Sequence, residues 1–155
     1  GSHIIVGKGV SDKLAHCYVN SIRSFYATYD VTVRLKGRHR LGIVSNFGHT
    51  PALIKTLERL DLTRFFDAVI VSADVGWRKP SRKIFEAALK ALGVSALETV
   101  FVGDSLRSDV LGAQRAGMRT VLLLKKTSQE ENPVRVSPDR AVKSLKELPE
   151  LLPSL

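Results

Sequence analysis

The sequence predicts a three-layer α/β fold with a mostly parallel sheet. From Leu41 onward, short apolar runs alternate with amphipathic helical patterns, which is the order that βαβ units produce. The clearest unit spans residues 99–124, where the apolar run Val100–Val102 precedes an acidic turn, a helical pattern and a second apolar run. Crossovers of this kind connect parallel strands. We therefore expect a Rossmann-like sheet with helices on both faces.

The boundaries of the elements follow from the apolar runs and from the residues that begin and end helices. The predicted strands are Leu41–Ser45, Ala68–Val71, Val100–Val102 and Thr120–Leu124. Helices are predicted from Thr50 to about Leu60, from Ser81 to Leu92, and over the apolar positions from Val110 to Ala116. A glycine follows the second and the third of these helices. A short edge strand at Ala141–Val142 and a last helix from Leu145 to Leu152, capped by Ser144 and interrupted at Pro149, complete the pattern.

The first 40 residues follow a different pattern. Residues 1–3 resemble the remnant of an expression tag, and Ile4–Val6 forms a short apolar run that Gly7 closes. Apolar and aromatic side chains at helical spacing predict an amphipathic helix over residues 12–29, and a basic loop follows it up to residue 40. We expect three parts: the tag remnant at 1–3, a strand and cap-like helix at 4–40, and an α/β core at 41–155.

Composition indicates one globular domain. The chain has 155 residues, 44% of them hydrophobic, and no apolar run reaches the length of a membrane span. The single cysteine, Cys17, excludes an internal disulfide, and no secretory signal is visible. These features favour a cytoplasmic protein without a membrane partner.

The net charge is +9, and the densest basic run is residues 34–40, with four lysines and arginines. A basic run of this kind can bind phosphate backbones. It is more often a solvated loop, and no aromatic residue is interleaved with it, as in proteins that bind single strands. Nucleic acid is therefore the less favoured partner.

The turn after Val102 contains the residues best suited to chemistry. Ligands of open parallel sheets bind beyond the carboxyl ends of the strands, and Asp104 lies at such an end. Asp109 begins the following helix and can point back to the same turn. Two carboxylates at this place suit Mg²⁺. A single acidic residue here is more often a helix cap, but Gly103, Asp104, Ser105 and Asp109 together favour a site.

Two further stretches supply polar groups at predicted strand ends or loops. Ser45 and Asn46 follow the strand from Leu41, and they are also typical of an ordinary turn. Lys79 stands directly before Pro80 and a helix, and the alternative role for it is an exposed surface lysine. Neither stretch is specific by itself.

In this order and spacing, the three stretches resemble the haloacid dehalogenase-like (HAD) hydrolase superfamily, above all its phosphatases. The resemblance implies that Ser45 hydrogen-bonds a phosphoryl oxygen of a small phosphorylated substrate and that Asn46 shapes the same pocket. Lys79 becomes a catalytic residue that neutralises charge on the phosphoryl group and the nucleophile. Asp104 becomes a ligand of Mg²⁺, and Asp109 either binds the metal through water or orients Lys79 and the loop.

The sequence departs from this family in one respect. The family's nucleophile is an aspartate on the first, central strand, with a second aspartate two residues later, and no Asp-x-Asp occurs in this sequence. The closest approach is Asp30, which follows a helical pattern. Without the nucleophile the covalent route has no first step, so we expect no or trace phosphatase activity. Either the sequence begins downstream of the first strand or the natural gene is truncated.

A missing central strand would leave two unpaired apolar edges in the sheet, which is costly. We expect residues 3–7 to fill this position, from the same chain or exchanged between copies of a homo-oligomer, with the remnant of a helical cap after them. The pocket would then contain Gly7 and Lys8 where the family has carboxylates. Two functions stay open: a HAD-like Mg-dependent phosphatase without its nucleophile, and a non-catalytic domain that binds a phosphate or a partner.

Overall fold

The computed structural model describes residues 3–9, 22–124 and 136–154, with side chains from Tyr29 onward. The strands are β1 (His3–Gly9), β2 (Leu41–Asn46), β3 (Ala68–Val71), β4 (Thr99–Gly103), β5 (Arg119–Leu123) and β6 (Arg140–Val142). The α-helices are α1 (Ile22–Lys36), α2 (Thr50–Arg59), α3 (Ser72–Val75), α4 (Arg82–Leu92), α5 (Leu111–Arg115) and α6 (Leu148–Leu151). None of the helices in this part of the chain is long and apolar enough to cross a membrane.

The six strands form one sheet in the order β3-β2-β1-β4-β5-β6, and each neighbouring pair is parallel. Strand β1 lies in the middle, with Val6 paired to Ile43 on one side and to Val102 on the other. The expectation that residues 3–7 of this chain fill the central position is confirmed. The strand is longer than predicted because Gly7 does not end it: the pairing with β2 continues to Gly9.

Helices cover both faces of the sheet, so the predicted three-layer α/β fold is confirmed. On one face, α1, α2 and α6 pack against alternate residues of the strands, among them Leu41, Ile43 and Val102. On the other face, α4 and α5 pack against Val44 and Phe101. The rings of Phe85 and Phe101 meet edge to face at 5.0 Å, an arrangement that stabilises a core beyond its buried area.

Helix α1 differs from the prediction. The helix predicted over residues 12–29 continues to Lys36, and its predicted first part, residues 12–21, lies outside the described residues. Val31 and Leu35 belong to the core, which extends the amphipathic pattern beyond the expected end. Tyr29 packs edge to face on Phe65, with the ring centroids 5.4 Å apart. The predicted boundary at residue 40 falls in the short connection between α1 and β2.

The basic run is therefore the end of a helix and the following turn, not a loop. Cations favour this position because the helix dipole is negative at its carboxyl end. Several of the basic side chains contact their own chain: Arg34 pairs with Glu150 at 2.7 Å and Lys36 with Asp67 at 2.6 Å. Arg40 donates a hydrogen bond of 2.6 Å to the carbonyl of Leu92. Three of the four lysines and arginines in the run therefore have partners within the chain.

The last elements agree with the sequence in outline. Ser144 caps the helical turn Leu145–Glu147 in a capping box with Glu147, as its position predicted. Pro149 lies in the first turn of α6, where a proline is tolerated, and does not interrupt the helix. Residues 125–135, between β5 and β6, lie outside the described residues.

Candidate functional site

The candidate site lies at the carboxyl edge of the three central strands. Ser45 and Asn46 end β2, and Asp104 follows β4. Strand β1 lies between them, so the backbones of β2 and β4 are roughly 10 Å apart, twice the spacing of neighbouring strands. The strand that separates them therefore forms the floor of the site.

Lys79 lies beneath this edge and is almost fully buried. Its ammonium is 2.7 Å from Oδ1 of Asp109, with the two side chains 1% and 2% exposed. It also donates a hydrogen bond of 3.2 Å to the carbonyl of Val44. Lys79 is therefore not an exposed surface lysine.

Asn46 fixes the backbone of Lys79 from both sides. Its side-chain oxygen accepts a hydrogen bond of 2.8 Å from the Lys79 N–H, and its Nδ2 donates one of 3.1 Å to the Lys79 carbonyl. An amide side chain is suited to this task because it carries a donor and an acceptor. The resemblance implied that Asn46 shapes a pocket, and no signal in the sequence indicates its contacts with Lys79.

Asp109 holds the turn after β4. Its Oδ2 accepts hydrogen bonds from the N–H groups of Asp104, at 3.0 Å, and Ser105, at 3.1 Å. Residues 106–110 form a π-helical turn before α5, where an ordinary helix was predicted, and Ser105 caps it by accepting from the Ser108 N–H. Such turns are frequent at functional sites. Of the two roles left open for Asp109, the geometry favours the orientation of Lys79 and the loop.

Two glycines allow close packing, Gly103 against the turn that contains Asp109 and Gly112 against α4 and the loop before it. A Cβ on Gly103 would lie 2.3 Å from Cβ of Asp109, and one on Gly112 would lie 2.5 Å from the Phe85 ring and 3.0 Å from Cα of Pro80. At either position, a residue with a side chain would require the neighbouring atoms to move. The sequence indicates only a turn at Gly103 and contains no signal for Gly112, because a close approach leaves no local pattern.

The remaining polar residues at this edge are more exposed. His49 caps α2 by accepting a hydrogen bond of 3.1 Å from the Ala52 N–H, which explains it without a ligand. Thr50 donates a hydrogen bond of 2.7 Å to Asp74. Asp30 is an exposed residue in the middle of α1, about 12 Å along the helix axis from Ile22.

The comparisons with known proteins agree with this architecture. The model of the family "haloacid dehalogenase-like hydrolase" matches residues 12–123. A glyceraldehyde 3-phosphate phosphatase of Methanothermobacter thermautotrophicus is 38% identical over 111 residues, 71% of this chain and 49% of that protein. The pyrimidine 5'-nucleotidase YjjG of Escherichia coli is 33% identical over 145 residues, 90% of this chain and 63% of that protein. This chain belongs to the haloacid dehalogenase-like hydrolases.

A solved structure supports the same assignment. The HAD hydrolase YfnB of Bacillus subtilis, bound to magnesium, superposes with a TM-score of 0.73 and 30% identity, over 82% of this chain and 55% of that one. The chain thus spans about half to two thirds of the length of these relatives. The two curated relatives carry the names of a phosphatase and a nucleotidase.

The donor groups around Asp104 do not fit the magnesium site that the resemblance implies. Both oxygens of Asp109 are engaged, one by Lys79 and the other by two backbone N–H groups. The described residues contain no group of three or more His, Cys, Asp or Glu that could hold a metal ion. Strand β1 places Gly7 and Gly9 beside Val44 and Asn46, so it brings no carboxylate to this edge.

Proposed function

We propose that this chain is a phosphatase-type domain that binds a small phosphorylated molecule and does not hydrolyse it. The observation that supports this most is the composition of β1. Gly7 pairs with Val44, whose carbonyl contacts the Lys79 ammonium, and Gly9 pairs with Asn46. Gly7 and Gly9 are two residues apart, as the family's two aspartates are, so the position expected for Lys8 is taken by Gly9. The chain therefore has the surroundings of a nucleophile with glycine in its place.

The binding chemistry comes from groups of this chain alone. A lysine ammonium has three N–H donors. The contacts of Lys79 with Asp109 and Val44 leave one donor for a phosphoryl oxygen. The family resemblance assigns a second contact to Ser45, which is buried at the end of β2. Burial strengthens both interactions, because the effective dielectric at the floor is low.

The position of the Lys79 side chain is set by its neighbours. Its backbone is held by Asn46, and its ammonium is held by Asp109, so its charge is fixed in place before a ligand arrives. Preorganised charge of this kind stabilises a phosphoryl group without reorganisation. The exposed position of Asp30 within α1 makes it an unsuitable replacement for the missing nucleophile.

Restoring the carboxylates tests the proposal. The natural chain should show no turnover of p-nitrophenyl phosphate above background, with or without Mg²⁺. The double variant Gly7→Asp, Gly9→Asp should gain Mg²⁺-dependent turnover, since the introduced carboxylates and Asp104 would offer Mg²⁺ oxygen ligands. The matched control is Gly7→Asn, Gly9→Asn, which has similar bulk and no nucleophile.

Binding is measured separately, by isothermal titration of inorganic phosphate into the natural chain and Ser45→Ala. The proposal requires that the natural chain bind phosphate and that Ser45→Ala bind it more weakly. Robust Mg²⁺-dependent turnover by the natural chain, abolished by Asp104→Ala, would show that the domain is an active phosphatase with another nucleophile. Failure to bind phosphate would overturn the proposal as well.

A further inference from the structure

Trp77 is an exposed aromatic residue beside the floor of the site. It is one of four large hydrophobic residues in the described chain that are strongly exposed, with 45% of its surface accessible. It precedes buried Lys79 by two residues, so their Cα atoms are at most about 7 Å apart. A tryptophan that served only the core would be covered. Its place in the loop that carries Lys79 makes it a candidate for contact with a ligand bound there.

The ring of Trp77 is held by a cation. The ammonium of Lys83, in the first turn of α4, lies 3.7 Å from the ring centroid. Contacts of this kind stabilise the ring through its quadrupole. Because one face is covered by Lys83 while nearly half of the residue stays exposed, the other face or the ring edge is open to a ligand.

The backbone around Trp77 is fixed on both sides. Before it, the N–H of Gly76 donates a hydrogen bond of 3.1 Å to the carbonyl of Ser72, with Gly76 in the left-handed conformation at φ 72°. After it, Asn46 holds the backbone of Lys79. The backbone that carries the ring is therefore ordered next to the Lys79 loop before a ligand arrives, which lowers the entropic cost of binding.

We propose that Trp77 is a stacking platform that makes the site selective for phosphorylated molecules carrying a planar ring, the class of nucleoside monophosphates. This inference rests on the proposed function, because the phosphate must occupy the site next to Lys79. A nucleobase stacks on an aromatic side chain with a gain of about tenfold or more in affinity. The exposed basic side chains of Arg78 and Lys83 add attraction for the anionic ligand at the same edge.

The fluorescence of Trp77 tests the inference directly, because it is the single tryptophan of the chain. Cytidine 5′-monophosphate, ribose 5-phosphate and inorganic phosphate are titrated into the natural full chain, by fluorescence and by calorimetry. We expect the nucleotide to quench the fluorescence and to bind about tenfold more tightly than ribose 5-phosphate. The variant Trp77→Ala should bring this ratio to about one and leave the affinity for inorganic phosphate unchanged. Trp77→Phe should keep most of the preference.

A matched control is Leu97→Ala, which removes another exposed apolar side chain, 81% accessible, outside the site. It should keep the full preference for the nucleotide. Equal affinities for the nucleotide and ribose 5-phosphate in the natural chain, or an unchanged ratio in Trp77→Ala, would overturn the inference alone. If inorganic phosphate does not bind to the natural chain, the proposed function fails and this inference fails with it.

Discussion

The ammonium of Lys79 lies 2.7 Å from Oδ1 of Asp109, and the two side chains are 1% and 2% exposed. This ion pair connects the loop before α4 with the turn after β4. The second oxygen of Asp109 is satisfied by two backbone N–H groups, which offsets part of the cost of burying the carboxylate. The two halves of the candidate site therefore depend on each other.

Removing the negative charge of this pair should destabilise the protein strongly. The variant Asp109→Asn leaves a buried ammonium without a counter-charge, and we expect a loss of about 3–5 kcal/mol in the free energy of unfolding. Urea denaturation measures it. Glu150→Gln is the control, since it breaks the exposed pair with Arg34 and should cost no more than about 1 kcal/mol.

A double variant tests whether Lys79 and Asp109 stabilise the protein through their interaction with each other. Lys79→Met combined with Asp109→Leu removes both charges, so it should be less destabilised than the sum of the single variants. Additive losses would show that the pair is not coupled in solution.

Gly103, which packs against Asp109, should also tolerate no side chain without a loss of stability. Gly103→Ala places a Cβ 2.3 Å from Cβ of Asp109, and we expect overpacking to cost about 1–3 kcal/mol in the free energy of unfolding. The matched control is Gly48→Ala at the same edge, where a Cβ meets nothing within 4 Å. Thermal denaturation of both variants compares them. A Gly103→Ala protein as stable as Gly48→Ala would contradict the close approach.

The fold could be predicted from sequence because each βαβ unit carries its own signal. The run Val100–Val102, the glycine at 117 and the next apolar run are local patterns, and the structure places a strand, an end of a helix and a strand there. The position of β1 was also predictable, from the physical cost of an unpaired sheet interior. The extension of α1 to Lys36 was missed because the charged residues from Arg34 onward indicate a loop when only composition is considered.

The candidate site was predictable only as a set of residue types. Which partner each side chain takes depends on contacts between distant parts of the chain, such as Asn46 with the Lys79 backbone. The π-helical turn at residues 106–110, in which Asp109 accepts two hydrogen bonds from the preceding backbone, likewise has no signal in the periodicity of the sequence.

Stability should depend on pH through Asp67. Burial alone raises the pKa of Asp67, but hydrogen bonds from Lys36 and from the Leu41 N–H, with the charges of Lys36 and Arg40, lower the pKa below its ordinary value. A carboxylate with a lowered pKa contributes stability that is fully present above its unfolded pKa of about 4, and that is lost as pH falls through the folded value.

The comparison is between the natural chain and Asp67→Asn, by urea denaturation from pH 7 to pH 3. The natural chain should be the more stable at pH 7, and the difference should shrink below about pH 4. Glu86→Gln is the control, because it alters the exposed pair with Arg82. A difference that stays constant over this range would show that Asp67 is not stabilised as a carboxylate.

Asn46 should affect ligand binding through the position of Lys79, in addition to any contact of its own with the ligand. Asn46→Asp keeps an acceptor for the Lys79 N–H, but it loses the donor to the Lys79 carbonyl and places a carboxylate against that oxygen. The Lys79 backbone then shifts, and its ammonium leaves the position set by Asp109 and Val44. We expect the affinity for inorganic phosphate to fall on the order of tenfold, the effect of one lost hydrogen bond to a charged group. Thr50→Val, which breaks the Thr50–Asp74 hydrogen bond at the same edge, should leave the affinity unchanged. If Asn46→Asp unfolds at lower urea concentration but binds phosphate as the natural chain does, Asn46 supports the fold and does not position Lys79.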